Sequence, residues 1–342
     1  MSPNDGARAT AKEIDELRSI LSDAGLISSN AEFTPLTGGV ASDIWKVDNG
    51  TRTFVVKRAL PKLRVAAEWY APVSRNVSEV AWMRVAKAIV PRAVPDIIFD
   101  SPEGAVFAME YFSPETYPVW KYELRDGHVD LDFVKSVGRT LAHIHSETAH
   151  NEQLARQFAN NADFRSLRLE PYLEATARKH PDISEELLAL LRNTLGRHVA
   201  LIHGDVSPKN ILVGPEGPIF LDAECAVFGD PAFDLAFCLS HLLLKCVWNP
   251  PATSRFLEAF ELLCSSYFSE CSFAGSEQIE RHSAALLPAL ILARIDGKSP
   301  VEYITSEKDR DLVRNAMCPL IKSARQELKA VRAVWSENLK WE

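Results

Sequence analysis

The chain has 342 residues, 46% hydrophobic and 25% charged, proportions that exclude a disordered or collagen-like polymer and allow a large buried core. Its formal charge is −8, from 46 acidic and 38 basic side chains with no basic block, which argues against a nucleic-acid partner. No apolar run approaches the roughly 18 residues of a membrane helix, no basic-then-apolar leader opens the chain, and the six cysteines include no C-x-x-C pair; these features predict a cytoplasmic protein with reduced thiols and no membrane partner.

A first helix is expected over Ala11–Ala24, where Ile14, Leu17 and Leu21 form one stripe and Gly25 is the stop. Short strand-like runs follow at Phe33–Leu36, Ile44–Val47 and Thr53–Lys57. Thr37-Gly38-Gly39 and Asp48-Asn49-Gly50 separate them, the latter an Asn-Gly hairpin signal. Helical spacing returns over Asn76–Ile89, and two more strand-like runs lie at Ile97–Phe99 and Ala105–Met109. That order predicts an antiparallel sheet with a helix packed on it. From Ser113 the pattern is mainly helical: Leu131–His145, Ser184–Leu195, Phe233–Lys245, Ser254–Phe268, Gln278–Ala293, and a stretch from Glu307 that Pro319 should kink or break. One hairpin interrupts the helices, Ile211–Val213 with Ile219–Leu221 around Gly214-Pro-Glu-Gly217. A small sheet lobe joined to a larger helical lobe leaves a cleft between them, where ligands usually bind.

Half of the net charge comes from residues 201–252, which carry six acidic and two basic side chains. By charge alone this is a solvated acidic face or a hard-cation site. Within it stands LIHGDVSPKNILVGPEGPIFLDAE. Asp205 and Asn210 are five apart, and Asp222 follows twelve later across the hairpin. Folding the hairpin sets Asn210 beside Asp222, so an amide oxygen and a carboxylate converge near a second carboxylate. Phosphoryl transfer needs such a set: oxygens to hold magnesium on the phosphates, and a separate carboxylate to take the hydroxyl proton.

The H-G-D-x-x-x-x-N run followed by a strand-borne Asp resembles the aminoglycoside phosphotransferase and choline kinase family, relatives of the protein kinases. The resemblance implies an α+β, bilobal protein-kinase-like fold. Its small antiparallel-sheet lobe, residues 1–108, binds nucleotide; a hinge at 109–112 leads to a larger, mainly helical catalytic and acceptor-binding lobe, residues 113–342. ATP is then the co-substrate, Mg2+ the cofactor, Asp205 the catalytic base, and Asn210 and Asp222 the metal ligands. His203 and Gly204 shape the loop. Gly229-Asp-Pro-Ala-Phe-Asp-Leu-Ala236 matches the segment that opens a long helix in the family; there Asp234 is a buried support for the catalytic loop and Asp230 sits near the N-cap. Glu224, two beyond Asp222 on a strand, is either a further metal ligand or a solvated glutamate.

The nucleotide side is expected from the sheet lobe. Gly39 and Ser42 lie in a loop whose amides suit phosphates, although Gly-Gly between strands is also an ordinary turn. Lys57 would reach the α- and β-phosphates, with Glu79, 22 residues on, fixing it. The backbone at Glu110 and Phe112 falls where the family's hinge bonds adenine.

Only seven residues separate Asp222 from Asp230, too few for the activation segment of a protein kinase. The acceptor is therefore expected to be a small molecule's hydroxyl, and a protein substrate is not. The family includes antibiotic phosphotransferases and kinases for choline, homoserine and methylthioribose. Residues 253–342 carry 13 acidic and 12 basic side chains, a balance that disfavours a polycationic aminoglycoside. Trp120–Leu124 with Gly127 resembles the methylthioribose kinase side, which need not carry the equivalent of Asn210. A sugar or metabolite is the favoured acceptor. An aminoglycoside or macrolide phosphotransferase is the alternative, and a nucleotide-binding pseudokinase the alternative of another class. Gly297-Lys-Ser299 does not make a P-loop, since Leu292 stands where the leading glycine belongs. Arg294, Asp296 and Lys298 either border the acceptor pocket or belong to a packed loop, and His143 and His145 read as structural.

Overall fold

Alternation along two neighbouring strands decides what each face of the N-terminal sheet carries. The computed structural model describes residues 11–36, 41–62, 70, 72–273, 275–323 and 327–339. Strands β1 (Glu32–Pro35), β2 (Ser42–Asp48), β3 (Thr53–Ala59), β4 (Ile97–Ser101) and β5 (Val106–Glu110) form an antiparallel sheet in the order β1-β2-β3-β5-β4. Phe54 and Val56 of β3, with Val106 and Ala108 of β5, pack under Leu17 and Leu21 of helix α1 (Ala11–Asp23). Val55, Phe107 and Met109 take the opposite face, against Val80, Met83 and Ala86 of α2 (Arg75–Ile89). Lys57 shares the parity of Val55, so the same alternation delivers it to α2.

The β2–β3 turn is the one the Asn-Gly signal predicts. Asn49 Oδ1 accepts the amides of Thr51 and Arg52 at 3.0 and 2.8 Å, and Gly50 has a φ of +84°.

The C-terminal part is built from α3 (Trp120–Arg125), α4 (Leu131–Thr148), α5 (Glu152–Gln157) and α6 (Asn161–Phe164), which runs into a π-helical segment, Arg165–Glu174. Helices α7 (Ala175–Lys179) and α8 (Ser184–Leu195) follow, then α9 (Pro231–Trp248), α10 (Thr253–Glu270), α11 (Ser276–Asp296), α12 (Glu307–Ser323) and α13 (Leu328–Asn338). Between α8 and α9 lie β6 (Ala200–Ile202), paired with β9 (Val227–Gly229), and the hairpin β7 (Ile211–Gly214) with β8 (Gly217–Phe220). The six cysteines are free.

Two expectations need correcting. Helix α9 is, among the described residues, long and apolar enough to cross a membrane, yet 94% of that stretch is buried within the fold. It is mostly apolar because it is packed between α10 and α11; Trp335 of α13 also donates its indole N–H to the Leu243 carbonyl at 3.1 Å. Pro319 does not end α12, which continues to Ser323. Its missing donor is outweighed by the apolar stripe Val313, Ala316, Met317, Leu320 and Ile321, which stays buried only if the helix goes on.

Helix α4 crosses α10 at Gly138, where a Cβ would overlap Ser266 Oγ and lie 2.8 Å from the Leu263 carbonyl oxygen. Gly138→Ala should therefore push two core helices apart and cost about 1–3 kcal/mol. A lower denaturant midpoint at unchanged slope is the expected result in chemical unfolding.

Candidate active site

Strand β6 ends in His203-Gly204-Asp205, and a buried carboxylate from the first turn of α9 sets that loop. Asp234 accepts the amide N–H of His203 at 2.7 Å and that of Gly204 at 2.8 Å. His145 of α4 reaches the same carboxylate at 3.3 Å and is itself bonded to the Tyr267 hydroxyl at 2.9 Å. Gly204 has a φ of +76°, and a Cβ there would come 2.5 Å from the Cys225 carbonyl oxygen, so only glycine fits. His203 donates from Nε2 to the Leu221 carbonyl at 3.0 Å and accepts the Asp205 amide on Nδ1 at 3.2 Å. Burial pushes its pKa down, which keeps it in the neutral form this pairing requires.

Asp205 is buried between two cations, with Arg168 Nη2 at 2.7 Å and Lys209 Nζ at 3.2 Å from Oδ2. Burial alone would raise its pKa; Arg168 and Lys209 together hold it below the ordinary 3.8. Arg168 also donates to the Gly204 carbonyl at 2.8 Å, so it fixes the backbone and the carboxylate together.

The hairpin forms as predicted and sets Asn210 opposite Leu221, the residue before Asp222. Leu221 donates its amide to the Asn210 carbonyl at 2.9 Å, one step beyond the β7–β8 pair Ile211 and Phe220. The Asn210 side chain donates its amide nitrogen to the Asp205 carbonyl at 3.1 Å, which orients the group and leaves its oxygen as acceptor. Asp222 has a φ of +66°, the left-handed region that Asp tolerates better than most residues.

Its carboxylate pairs with the Lys57 ammonium, which also contacts Glu79 at 2.6 Å. Burial alone would lower the Lys57 pKa, but Asp222, Glu79 and Glu224 hold it well above its ordinary value. Burial pushes Glu79 up to about 7 against the attraction of Lys57. Asp222 is held well below the carboxylate range: Lys57 and Lys209 outweigh its burial.

Glu224 stands apart from this set. The backbone from Leu221 to Glu224 is not a strand, and the left-handed turn at Asp222 breaks the alternation on which a shared direction depended. Its carboxylate instead meets Arg75 Nε at 3.0 Å, and burial together with repulsion from Asp222 raises its pKa. Arg75, fully buried, ties this point to the sheet by donating to the carbonyls of Ala41 and Leu60, the latter at 2.7 Å. Ser42 is buried in β2, and its hydroxyl has no partner among the described residues. Gly39 lies outside the described residues. At the other end of the sheet, Glu110 donates its amide to the Asp96 carbonyl at 2.9 Å, and the Phe112 ring packs edge-on to Tyr117.

Reasoning from the sequence missed Arg168, Lys209 and Arg75, while His145, read as structural, supports Asp234. Lys209 lies inside the motif, four residues after Asp205, and its spacing was a usable signal. Arg168 and Arg75 carry none, because each reaches its partner only through tertiary structure.

The fold is similar to that of ethanolamine kinase from Plasmodium vivax, at a TM-score of 0.56 and 14% identity, covering 94% of this chain and 93% of that one. It is also similar to amicoumacin kinase hAmiN, solved with AMP-PNP, Ca2+ and Ami, at a TM-score of 0.55 and 13% identity over 93% and 98% of the two chains. The architecture is thus α+β and protein-kinase-like, with a sheet lobe and a helical lobe.

The chain belongs to the phosphotransferase enzyme family, whose model matches residues 32–262. It is 26% identical over 236 residues to methylthioribose kinase of Escherichia coli, covering 60% of this chain and 56% of that enzyme. The chain therefore spans about half the length of the curated relatives it matches.

Arg168→Met leaves Asp205 with one cation fewer in a buried setting, and should cost about 3–5 kcal/mol. Because the native pKa lies below 3.8, this carboxylate stabilises the fold above that value and loses its contribution only as the pH falls below it. In Arg168→Met that acid loss should begin at higher pH, while Arg168→Lys should keep part of the contribution. Chemical unfolding of the three proteins from pH 3 to 7 checks both points.

Proposed function

We propose that this chain transfers the γ-phosphoryl group of ATP to a hydroxyl of a small, sugar-like molecule. The observation that carries the reading is the convergence of Asp205, Asn210, Asp222 and Lys57 around one point, each held by buried partners. The residues fit a divalent ion: Asn210 offers an amide oxygen and Asp222 a carboxylate, hard ligands that would hold magnesium. When bound there, the ion neutralises charge on the phosphates. Amicoumacin kinase, solved with AMP-PNP and Ca2+, supports an adenine nucleotide with a divalent cation.

In this reading residues 1–108 bind nucleotide, 109–112 are the hinge and 113–342 carry the catalytic and acceptor groups. The Glu110 amide is already donated to Asp96, so Glu110 offers adenine only its carbonyl, and Phe112 supplies the amide. Lys57, released from Asp222, contacts the α- and β-phosphates while Glu79 keeps it in place. Asp205 accepts the hydroxyl hydrogen bond. As the acceptor oxygen bonds to the γ-phosphorus and the bond to the β–γ bridging oxygen breaks, the hydroxyl proton passes to Asp205 and ADP leaves.

A carboxylate held at low pKa by two cations is a weak base. Its work is to orient the hydroxyl, and it takes the proton late, as a loose phosphoryl-transfer transition state allows. The methylthioribose kinases among the relatives support a sugar-type acceptor.

Release of ADP from Mg-ATP, measured against pooled sugars and other hydroxyl metabolites, tests the reading. Asp205→Asn should lower kcat by about 10²–10⁴-fold with Mg-AMP-PNP binding retained. Equal turnover by that variant, or no nucleotide binding by the native chain, overturns it.

A further inference from the structure

Beyond Asp205, the C-terminal lobe gathers cations that no carboxylate balances. The π-helical segment joins the two places: Arg168 holds Asp205, and four residues on Tyr172 places its hydroxyl 3.0 Å from Arg294 Nη1 of α11. Arg294 also donates to the carbonyl and hydroxyl of Ser299. Of its neighbours in 293–303, Asp296 is tied to His180 and Arg314, and Lys298 to Glu170. Those two belong to the packing, and Arg294 alone is left with no carboxylate among the described residues.

Lys245, in the last turn of α9, is buried in the same condition. Its Nζ lies 4.1 Å from the Trp248 ring centre and 4.2 Å from that of Tyr303, two rings stacked 4.1 Å apart. It has no ion-pair or hydrogen-bond partner among the described residues. Burial, with Lys121 and Arg294 adding repulsion against the attraction of Glu302, pushes its pKa down to about 6. Lys121 is paired with Glu302 and Lys209 with Asp205, so Lys245 and Arg294 are the two basic groups here with no carboxylate partner among the described residues.

Around them stand three orphaned polar atoms: His241 Nε2, Arg294 Nε and the Tyr303 hydroxyl are buried without a hydrogen-bond partner among the described residues. Buried polar groups are ordinarily satisfied, and three orphans beside two unpaired cations mark a place built for something else to bond. The Tyr172 ring packs on Phe237, which is edge-on to His241, and Tyr172 lies one turn beyond Arg168, the cation on Asp205. Ring contacts and one helical turn thus link the cluster to Asp205.

Resting on the kinase reading above, we infer that this cluster is an oxyanion subsite, and that the acceptor carries a carboxylate or a phosphate as well as its reacting hydroxyl. Arg294 and Lys245 bind the anion, and His241 and Tyr303 complete its hydrogen bonds. A polycation would meet like charge here, and a neutral sugar would leave Arg294 buried without a counter-charge and Lys245 without the anion that favours its protonation.

The test compares ADP release from Mg-ATP with matched acceptors: gluconate and glycerate as carboxylates, ribose 5-phosphate as a phosphate, ribose, methylthioribose and glycerol as neutral compounds, and kanamycin as a polycation. Anionic acceptors should exceed their neutral counterparts at least about tenfold in kcat/KM, the discrimination a hydrogen bond to a charged group supplies. Which anionic arm responds separates carboxylate from phosphate. Lys245→Met should raise KM for the anion about tenfold, leave Mg-AMP-PNP binding intact and unfold at an equal or higher denaturant midpoint, a combination that a structural role for Lys245 would not produce.

Preferred turnover of methylthioribose, another neutral compound or kanamycin overturns the subsite and leaves the kinase reading standing. If no arm turns over, sulfate titrated into the chain saturated with Mg-AMP-PNP decides. Binding that Lys245→Met abolishes supports the subsite, and absence of binding overturns it. Failure to bind Mg-AMP-PNP at all overturns the reading beneath it.

Discussion

The buried carboxylate of Asp234 is the fixed point of the catalytic lobe. Two consecutive amides, of His203 and Gly204, donate to it, so the loop that carries Asp205 cannot shift without stranding a buried charge. The carboxylate is itself held from behind by His145, which is held in turn by Tyr267. The chain of bonds runs from α10 through α4 to α9 and ends at the loop. Glycine at 204 lets the backbone press against Cys225, and neutral His203 closes the loop onto Leu221, the residue before Asp222. One carboxylate thus fixes both halves of the motif, whose two segments are far apart in sequence.

Opposite charges join the two lobes around this point, and they do so in a way a nucleotide can exchange. Lys57 comes from the sheet, Glu79 from α2 and Asp222 from the helical lobe. A buried ammonium between two carboxylates loses little when one of them is replaced by phosphate oxygens, so Lys57 can pass from Asp222 to a ligand while Glu79 holds its position. The second link, Arg75 to Glu224, is not exchangeable in the same sense. Arg75 is fully buried, and its other donors are used on the carbonyls of Ala41 before β2, Leu60 after β3 and Pro72 before α2. On the proposed reading the first link would serve the ligand, and the second would keep the lobes together while the first changes partners.

What could be read from the sequence follows the range over which each feature is encoded. The hairpin that carries Asn210 and leads to Asp222 was legible because turn chemistry is local, and Lys57 fell on the α2 face by parity alone. The strand expected through Glu224 does not form, because alternation was carried past Asp222, whose positive φ ends it. Pro319 was given too much weight because a local rule cannot see the apolar stripe that keeps α12 helical beyond it. The apolar length of α9 was missed since Lys245 interrupts the run, yet Lys245 is itself buried. Arg168 had no pattern to betray it. Its meeting with Asp205 depends on a π-helical segment with Pro171 inside it, which only the folded chain reveals.

Helix α9 connects the stable part of this site with the unsatisfied part. Its first turn supplies Asp234, with every bond made; its last supplies Lys245, with none. An ammonium near a helix C-terminus gains from the partial negative charge of the terminal carbonyls, but that gain is typically below 1 kcal/mol at exposed sites and does not offset the burial of an unpaired lysine. A chain selected for stability alone would place a leucine or methionine there, as it does at Leu242, Leu243 and Leu244 beside it. The same contrast separates Arg294 from Asp296 two residues later, which is fully paired. Two buried basic groups without a carboxylate, beside buried polar atoms without partners, are accounted for by a counter-charge that arrives with a ligand, which is what the proposed subsite supplies.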